Sequence, residues 1–171
     1  MTLLASPPVV PAAELRPLEM DSLVGLVRGL AADEARWAGR VRFGTVERRW
    51  WTRLHADPRV DVWLLTWLPG HGTDLHDHGT STAAFTVVRG RLQEVRADRS
   101  GTCTSTVRAA GTTAWVAPGV VHDVRATAAP AVSIHAYSPP LARMTYYDTG
   151  AGTLRPTRTV ESHEPEQEWP Q

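Results

Sequence analysis

From Val60 onward the chain is a succession of short strand-like runs cut by turn residues, and that punctuation limits what it can fold into. The runs are Val60 to Leu68, Ala83 to Val88, Leu92 to Ala97, Thr102 to Arg108, Thr113 to Val116, His122 to Thr127 and Ala131 to Tyr137. Gly90, Gly101, Gly111, Pro118-Gly119 and Pro130 separate them at intervals of about 8 to 12 residues, the spacing of a β-sandwich or barrel. Arg143 to Asp148 and Gly152 to Thr157 read as an edge hairpin. The expected fold class is all-β.

Helical signals are confined to the N-terminal side. Asp21 reads as an N-cap, and Leu23, Leu26, Val27 and Leu30 recur at helical spacing up to about Leu30 or Ala31. Asp33 to Trp37 suggests a second short helix, and Arg48 to Arg53 a third helical or irregular piece. These signals divide the chain into a loose arm over 1–16, one domain over 17–157 and a flexible acidic tail over 158–171. Within the domain, helices are expected across about 21–54 and the barrel from about 58 to 157.

Composition removes several classes of function. Net charge is zero and the pI is near 7.1, so nothing favours nucleic acid or an anionic membrane. No apolar run approaches the roughly 20 residues that span a bilayer. Met1-Thr2-Leu3-Leu4 lacks the basic flank and length of a signal peptide. The single Cys103 rules out an intrachain disulfide framework and suits a cytoplasmic protein. All 18 basic residues are arginine. Lysine Schiff-base chemistry and a phosphate-loop lysine are therefore excluded.

The chemistry concentrates around His76-Asp77-His78. Histidines one residue apart on a strand share a face, because side chains alternate with a period of two. His122, returning from a later strand, could close a three-nitrogen face on one metal ion and leave positions open for substrate. Such a pair alone is a weak signal. It sits, however, in Gly70-x5-His76-x-His78-x4-Ala83-x6-Gly90, followed by Gly111-x5-Ala117-x-Gly119-x2-His122. A further element, Ser133-Ile134-His135-Ala136-Tyr137-Ser138-Pro139-Pro140, puts Ser133, His135 and Tyr137 on one strand face. That face either meets water or turns into the barrel as a hydrogen-bonded row.

These glycine and histidine frames resemble the two cupin motifs, with Ala83 where the glutamate ligand is usual. The His-x-His pair, His122 and the Ser-x-His-x-Tyr-Ser-Pro-Pro element together resemble the cysteine dioxygenase family of thiol dioxygenases. The resemblance runs from about Trp51 to Met144 and implies a cupin jelly-roll barrel behind N-terminal helices. It further implies Fe(II) ligation by His76, His78 and His122. Tyr137 would stand beside the substrate, with His135 and Ser133 as the relay behind it. Trp51-Thr52-Arg53 is similar to the family's Tyr-Thr-Arg element, which makes Arg53 the expected clamp on the substrate carboxylate; Arg48 and Arg49 stand nearby. Alanine at position 83, where the animal enzymes carry a cysteine joined to the tyrosine, leaves Tyr137 a free phenol.

The implied reaction takes L-cysteine and O2 to cysteine sulfinate in a cytoplasmic enzyme, taken as a monomer by default. Its alternatives are oxidation of another small thiol, such as 3-mercaptopropionate or cysteamine, and a metal-binding cupin of isomerase or non-catalytic metabolite-binding type. Among the remaining residues, His71 reads as a loop group, Trp63 and Trp67 as core, and Asp77 as a tie on the strand's far side.

Overall fold

In a computed structural model, which describes residues 16–161 and 163, two antiparallel sheets enclose the site. The strands are β1 (Trp50–Asp57), β2 (Val60–Trp67), β3 (His76–Asp77), β4 (Thr82–Arg89), β5 (Arg91–Ala97) and β6 (Cys103–Ala109). They continue with β7 (Thr113–Val116), β8 (Val121–Ala126), β9 (Ala131–Ser138), β10 (Arg143–Asp148) and β11 (Arg155–Glu161). One sheet has the order β1-β2-β9-β4-β7 and the other β11-β10-β3-β8-β5-β6. Non-sequential neighbours of this kind are those of a jelly-roll barrel.

The helix α1 (Met20–Ala32) lies on the outside of the five-stranded sheet. It starts one residue before the expected cap: Glu19 holds the cap position and Asp21 lies in the first turn. There its charge faces the positive end of the helix dipole. Leu23, Val27 and Leu30 form the buried stripe and pack on Val62, Leu64, Ala84, Val132, Ile134 and Ala136. This contact decides the orientation of β9. Its apolar side chains go under the helix, its polar face turns inward, and all eight of its residues are buried.

Two expectations need correction. The helical region does not run to residue 54. Between α1 and β1 only two single-turn 3-10 pieces occur, Glu34–Arg36 and Ala38–Arg40, and Arg48 to Arg53 leads into β1 instead. Trp50, Trp51 and Thr52 suit a pleated, half-buried surface, and β1 pairs along β2 from Trp50↔Thr66 to Asp57↔Val60. Residues 158–161, expected in the flexible tail, are instead part of β11, which pairs with β10 as far as Glu161. Of the arm expected over 1–16, residues 1–15 lie outside the described residues, as do 162 and 164–171. Among the described residues no helix is long and apolar enough to cross a membrane.

Gly90 shows how the barrel closes between β4 and β5. Its φ is +77°, and an added Cβ would stand 2.5 Å from the Pro130 carbonyl oxygen. Only glycine meets both conditions without strain.

Candidate metal centre

The inner faces of β3, β8 and β9, with the segment after β3, bring the predicted residues together. His76 pairs directly with His122 across β3 and β8. His78 follows two residues later, and Gly79, at φ +59°, turns the chain away. The candidate ligand atoms of His76, His78 and His122 all lie within 4.8 Å of one another. The three rings are buried, each 2 or 3% exposed, with centroids 4.9 to 5.1 Å apart.

Second partners orient two of the rings. His76 donates from Nδ1 to the Asp74 carbonyl oxygen at 2.9 Å, leaving the Nε2 lone pair directed at the cluster. Asp74 presents that carbonyl from a left-handed conformation, φ +59°, which aspartate tolerates better than most residues. His122 donates from Nδ1 to Glu94 Oε1 at 3.2 Å, and its buried Nε2 has no hydrogen-bond partner. His76 Nε2 and His78 Nε2 are 3.1 Å apart. Two nitrogens bound to one ion at about 2.1 Å and at tetrahedral to octahedral angles sit about 3.0 to 3.4 Å apart. The three-histidine cluster therefore fits one small divalent cation. Burial first, then the neighbouring imidazoles, pushes His76 and His78 well below the usual histidine range. They are neutral donors, the form that binds metal.

No carboxylate joins this cluster among the described residues. Ala83, which stands where a glutamate ligand is usual, is buried on β4 opposite Tyr137. The nearest organised carboxylate, Glu94, reaches His122 at the nitrogen away from the cluster. Glu94 is 1% exposed and held by Arg96 and Arg108. Burial would raise its carboxyl, but the hydrogen bonds from His122 and Arg108 and the charge of Arg96 outweigh it and lower the group to about 2. The sequence reading passed over Glu94. Its signal was phase: it lies two residues from Leu92, a core residue on the same strand face.

The residues behind the cluster form a connected row. Trp67 donates from Nε1 to Ser133 Oγ at 2.8 Å, and Ser133 Oγ lies 2.8 Å from His135 Nε2. His135 stacks on Phe85, centroids 4.9 Å apart and planes at 10°. Burial, then the charges of His122 and Arg49, lowers His135 to about 3, so its ring is neutral. Tyr137 is 3% exposed and meets His78 edge-on. The small cavity between these groups is also lined by Leu65, Thr73 and Val124.

The arginines separate. Arg53 is exposed; its guanidinium lies 4.3 Å above the Trp63 ring and donates to the His163 carbonyl oxygen at 2.9 Å. Arg49 is 5% exposed, packs 4.1 Å above the Trp67 ring, and its charge is felt by both His76 and His135. His71 is a structural clasp: its Nδ1 accepts from Leu68 N and its Nε2 bonds the Thr45 carbonyl. Asp77 faces outward, accepting from Tyr147 Oη at 2.7 Å and from Gly79 N at 2.9 Å. The Ser138–Pro139 peptide is cis.

Comparison with known proteins agrees with this geometry. No curated protein matches the chain in sequence. Among solved structures it is similar to the TT1209 protein of Thermus thermophilus, with 22% identity and a TM-score of 0.53 over 60% of this chain and 93% of that one. It is also similar to a recombinant oxalate oxidase in complex with glycolate, with 17% identity and a TM-score of 0.52, covering 61% of this chain and 59% of that one. A cupin 2 conserved barrel domain protein from Leptotrichia buccalis gives 18% identity and a TM-score of 0.51, covering 59% and 45%. At these identities the likeness speaks for the fold alone, a cupin barrel. The sequence model of cysteine dioxygenase type I matches residues 16–150, most of the chain. The three-histidine cluster and the Ser133, His135, Tyr137 row thus stand in a cupin that belongs to the cysteine dioxygenase type I family.

Proposed function

We propose that this chain oxidises L-cysteine to cysteine sulfinate with dioxygen, using ferrous iron held by His76, His78 and His122. The observation that carries this reading is a donor set of three buried imidazoles with Ala83 where a carboxylate would have added negative charge. Such a set favours an anionic thiolate as the incoming ligand. When bound, iron supplies the redox chemistry that couples thiol to dioxygen; zinc accepts the same ligands but has no redox chemistry. Both oxygen atoms go to sulfur, and sulfur gives up the electrons that dioxygen takes up, so no outside reductant is consumed.

The chain's own residues supply position and exclusion of water. Tyr137 lies against His78 and lines the cavity beside the three histidines, in reach of a small substrate. Ser133, already accepting from Trp67, has its hydroxyl proton to donate to His135 Nε2, which leaves the His135 proton on Nδ1. Arg53 is the clamp that the family's Tyr-Thr-Arg element points to; a guanidinium fork suits a carboxylate.

A second reading is favoured by one observation: Arg53 is exposed and engaged with the His163 carbonyl. On that reading Arg49, the buried guanidinium, meets the carboxylate, or the substrate is another small thiol such as 3-mercaptopropionate or cysteamine. Oxygen uptake by the iron-loaded protein, measured across these thiols, tests the proposal. Fastest turnover of L-cysteine, with sulfinate formed in step with oxygen consumed, is the expected result. Full activity with zinc in place of iron, or no uptake with any thiol, overturns it.

A further inference from the structure

Glu94 occupies a position that only an acceptor fits. On the inner face of the six-stranded sheet, Glu94 pairs with Val124 and with Thr106, and Arg96 pairs with His122. His122 and Arg108 are thus diagonal neighbours of Glu94 on opposite sides, within side-chain reach. Oε1 takes His122 Nδ1 at 3.2 Å and Arg96 Nε at 2.9 Å. Oε2 takes Arg108 Nε at 3.0 Å and Nη2 at 2.6 Å. Every group facing the carboxylate is a donor, and the carboxylate itself is 1% exposed.

We propose that Glu94, braced by Arg108 and Arg96, is the positioning residue that fixes the His122 proton on Nδ1 and so keeps its Nε2 lone pair available to a metal ion. This rests on reading the three histidines as ligands. It also places the chain's negative charge one layer behind the site, where it makes the imidazole a stronger donor without taking a coordination position. An amide of the same shape cannot do this. It has one accepting oxygen, so its NH2 must face either the two Arg108 donors or His122 together with Arg96, and Arg96, 38% exposed and already bonded to the Trp115 carbonyl, can turn away. Arginine has no acceptor, whereas imidazole becomes one by moving its proton to Nε2. That tautomer has no lone pair to offer at the site.

The test uses the metal-free full chain and Glu94→Gln. Two-bond nitrogen–proton NMR correlations, with the His122 signals identified by their loss in His122→Asn, report the tautomer. Chelator competition reports Fe(II) affinity. Glu94→Gln is expected to move His122 to the Nε2-protonated form and to weaken Fe(II) binding about 10- to 100-fold. The double variant Glu94→Gln/Arg108→Gln gives the amide NH2 an acceptor of its own and frees its oxygen for His122. It is expected to restore the Nδ1-protonated form and to bring affinity back toward that of the unsubstituted chain. An unchanged tautomer and affinity in Glu94→Gln overturns the proposal. If that variant does not fold, the double variant decides: an Nε2-protonated His122 there overturns it. Oxygen uptake on thiols by the unsubstituted enzyme judges the dioxygenase reading separately, since the tautomer of metal-free protein does not depend on it.

Discussion

His78 and Tyr137 meet edge to face across the cavity, with ring centroids 5.1 Å apart and planes at 60°. The phenol therefore adjoins a candidate ligand among buried residues, where a hydroxyl interacts more strongly than it would in solvent. Its cross-strand partner Ala83 has no thiol with which to form a cross-link.

Removing that hydroxyl should affect chemistry more than assembly. In Tyr137→Phe, kcat for thiol oxidation is expected to fall about 100-fold, the low end for loss of a proton-transfer group. Iron content should stay unchanged. Steady-state oxygen uptake with metal analysis on the same preparation checks both. A full-rate Tyr137→Phe would show that the phenol only fills space.

Arg49 and Arg53 are distinguished by burial, because charges interact more strongly away from water. On the second reading, in which Arg49 meets the carboxylate, Arg49→Gln is expected to raise KM for L-cysteine at least about tenfold, the effect of losing a charge-assisted hydrogen bond in a desolvated site. It should leave KM for cysteamine, which has no carboxylate, nearly unchanged. On that same reading Arg53→Gln is expected to change the cysteine KM by less than about threefold, as for an exposed ion pair. The reverse order would return the clamp to Arg53.

The metal-free protein should lose stability on mild acidification. His135 has its pKa lowered to about 3, while the same group in an unfolded chain titrates near 6.5. The unfolded chain thus binds the extra proton between those values. The contribution is complete above about 6.5 and is lost as pH falls through the window. Between about pH 6.5 and 5 this group alone costs about 2 kcal/mol. Urea unfolding of metal-free protein at about pH 7 and about pH 5 measures it, and equal midpoints would contradict the shift.

The helix that turns β9 inward should matter for stability but not for chemistry. Leu23 is fully buried against the outside of the five-stranded sheet. Leu23→Ala is expected to cost about 2 to 4 kcal/mol, as other buried leucine truncations do. Urea titration of metal-loaded protein checks the loss, and unchanged iron content confirms that the site is insulated from it.

Much of this arrangement was legible because the backbone repeat carries it. The period of two set His76 and His78 on one face, and Ser133, His135 and Tyr137 on another. Whether the second face pointed inward was not local information; it depended on Leu23, Val27 and Leu30 covering Val132, Ile134 and Ala136. β1 was missed because none of its residues is fully buried, Arg53, His55 and Ala56 being exposed and the rest intermediate, so no apolar face marks it, and pairing with β2 supplies what propensity did not. Glu94 was passed over, and Arg49 was named only as a neighbour of Arg53, because what they meet is distant in sequence: Glu94 meets His122 through strand pairing, and Arg49 rests on Trp67.

The most direct test is a single-turnover reaction of anaerobically iron-loaded protein with L-cysteine and isotopically labelled dioxygen, read by mass spectrometry. The expected product is cysteine sulfinate with both sulfinate oxygens labelled, formed with iron and not with zinc. Unlabelled sulfinate, no sulfinate at all, or the same yield with zinc would contradict a redox metal held by His76, His78 and His122.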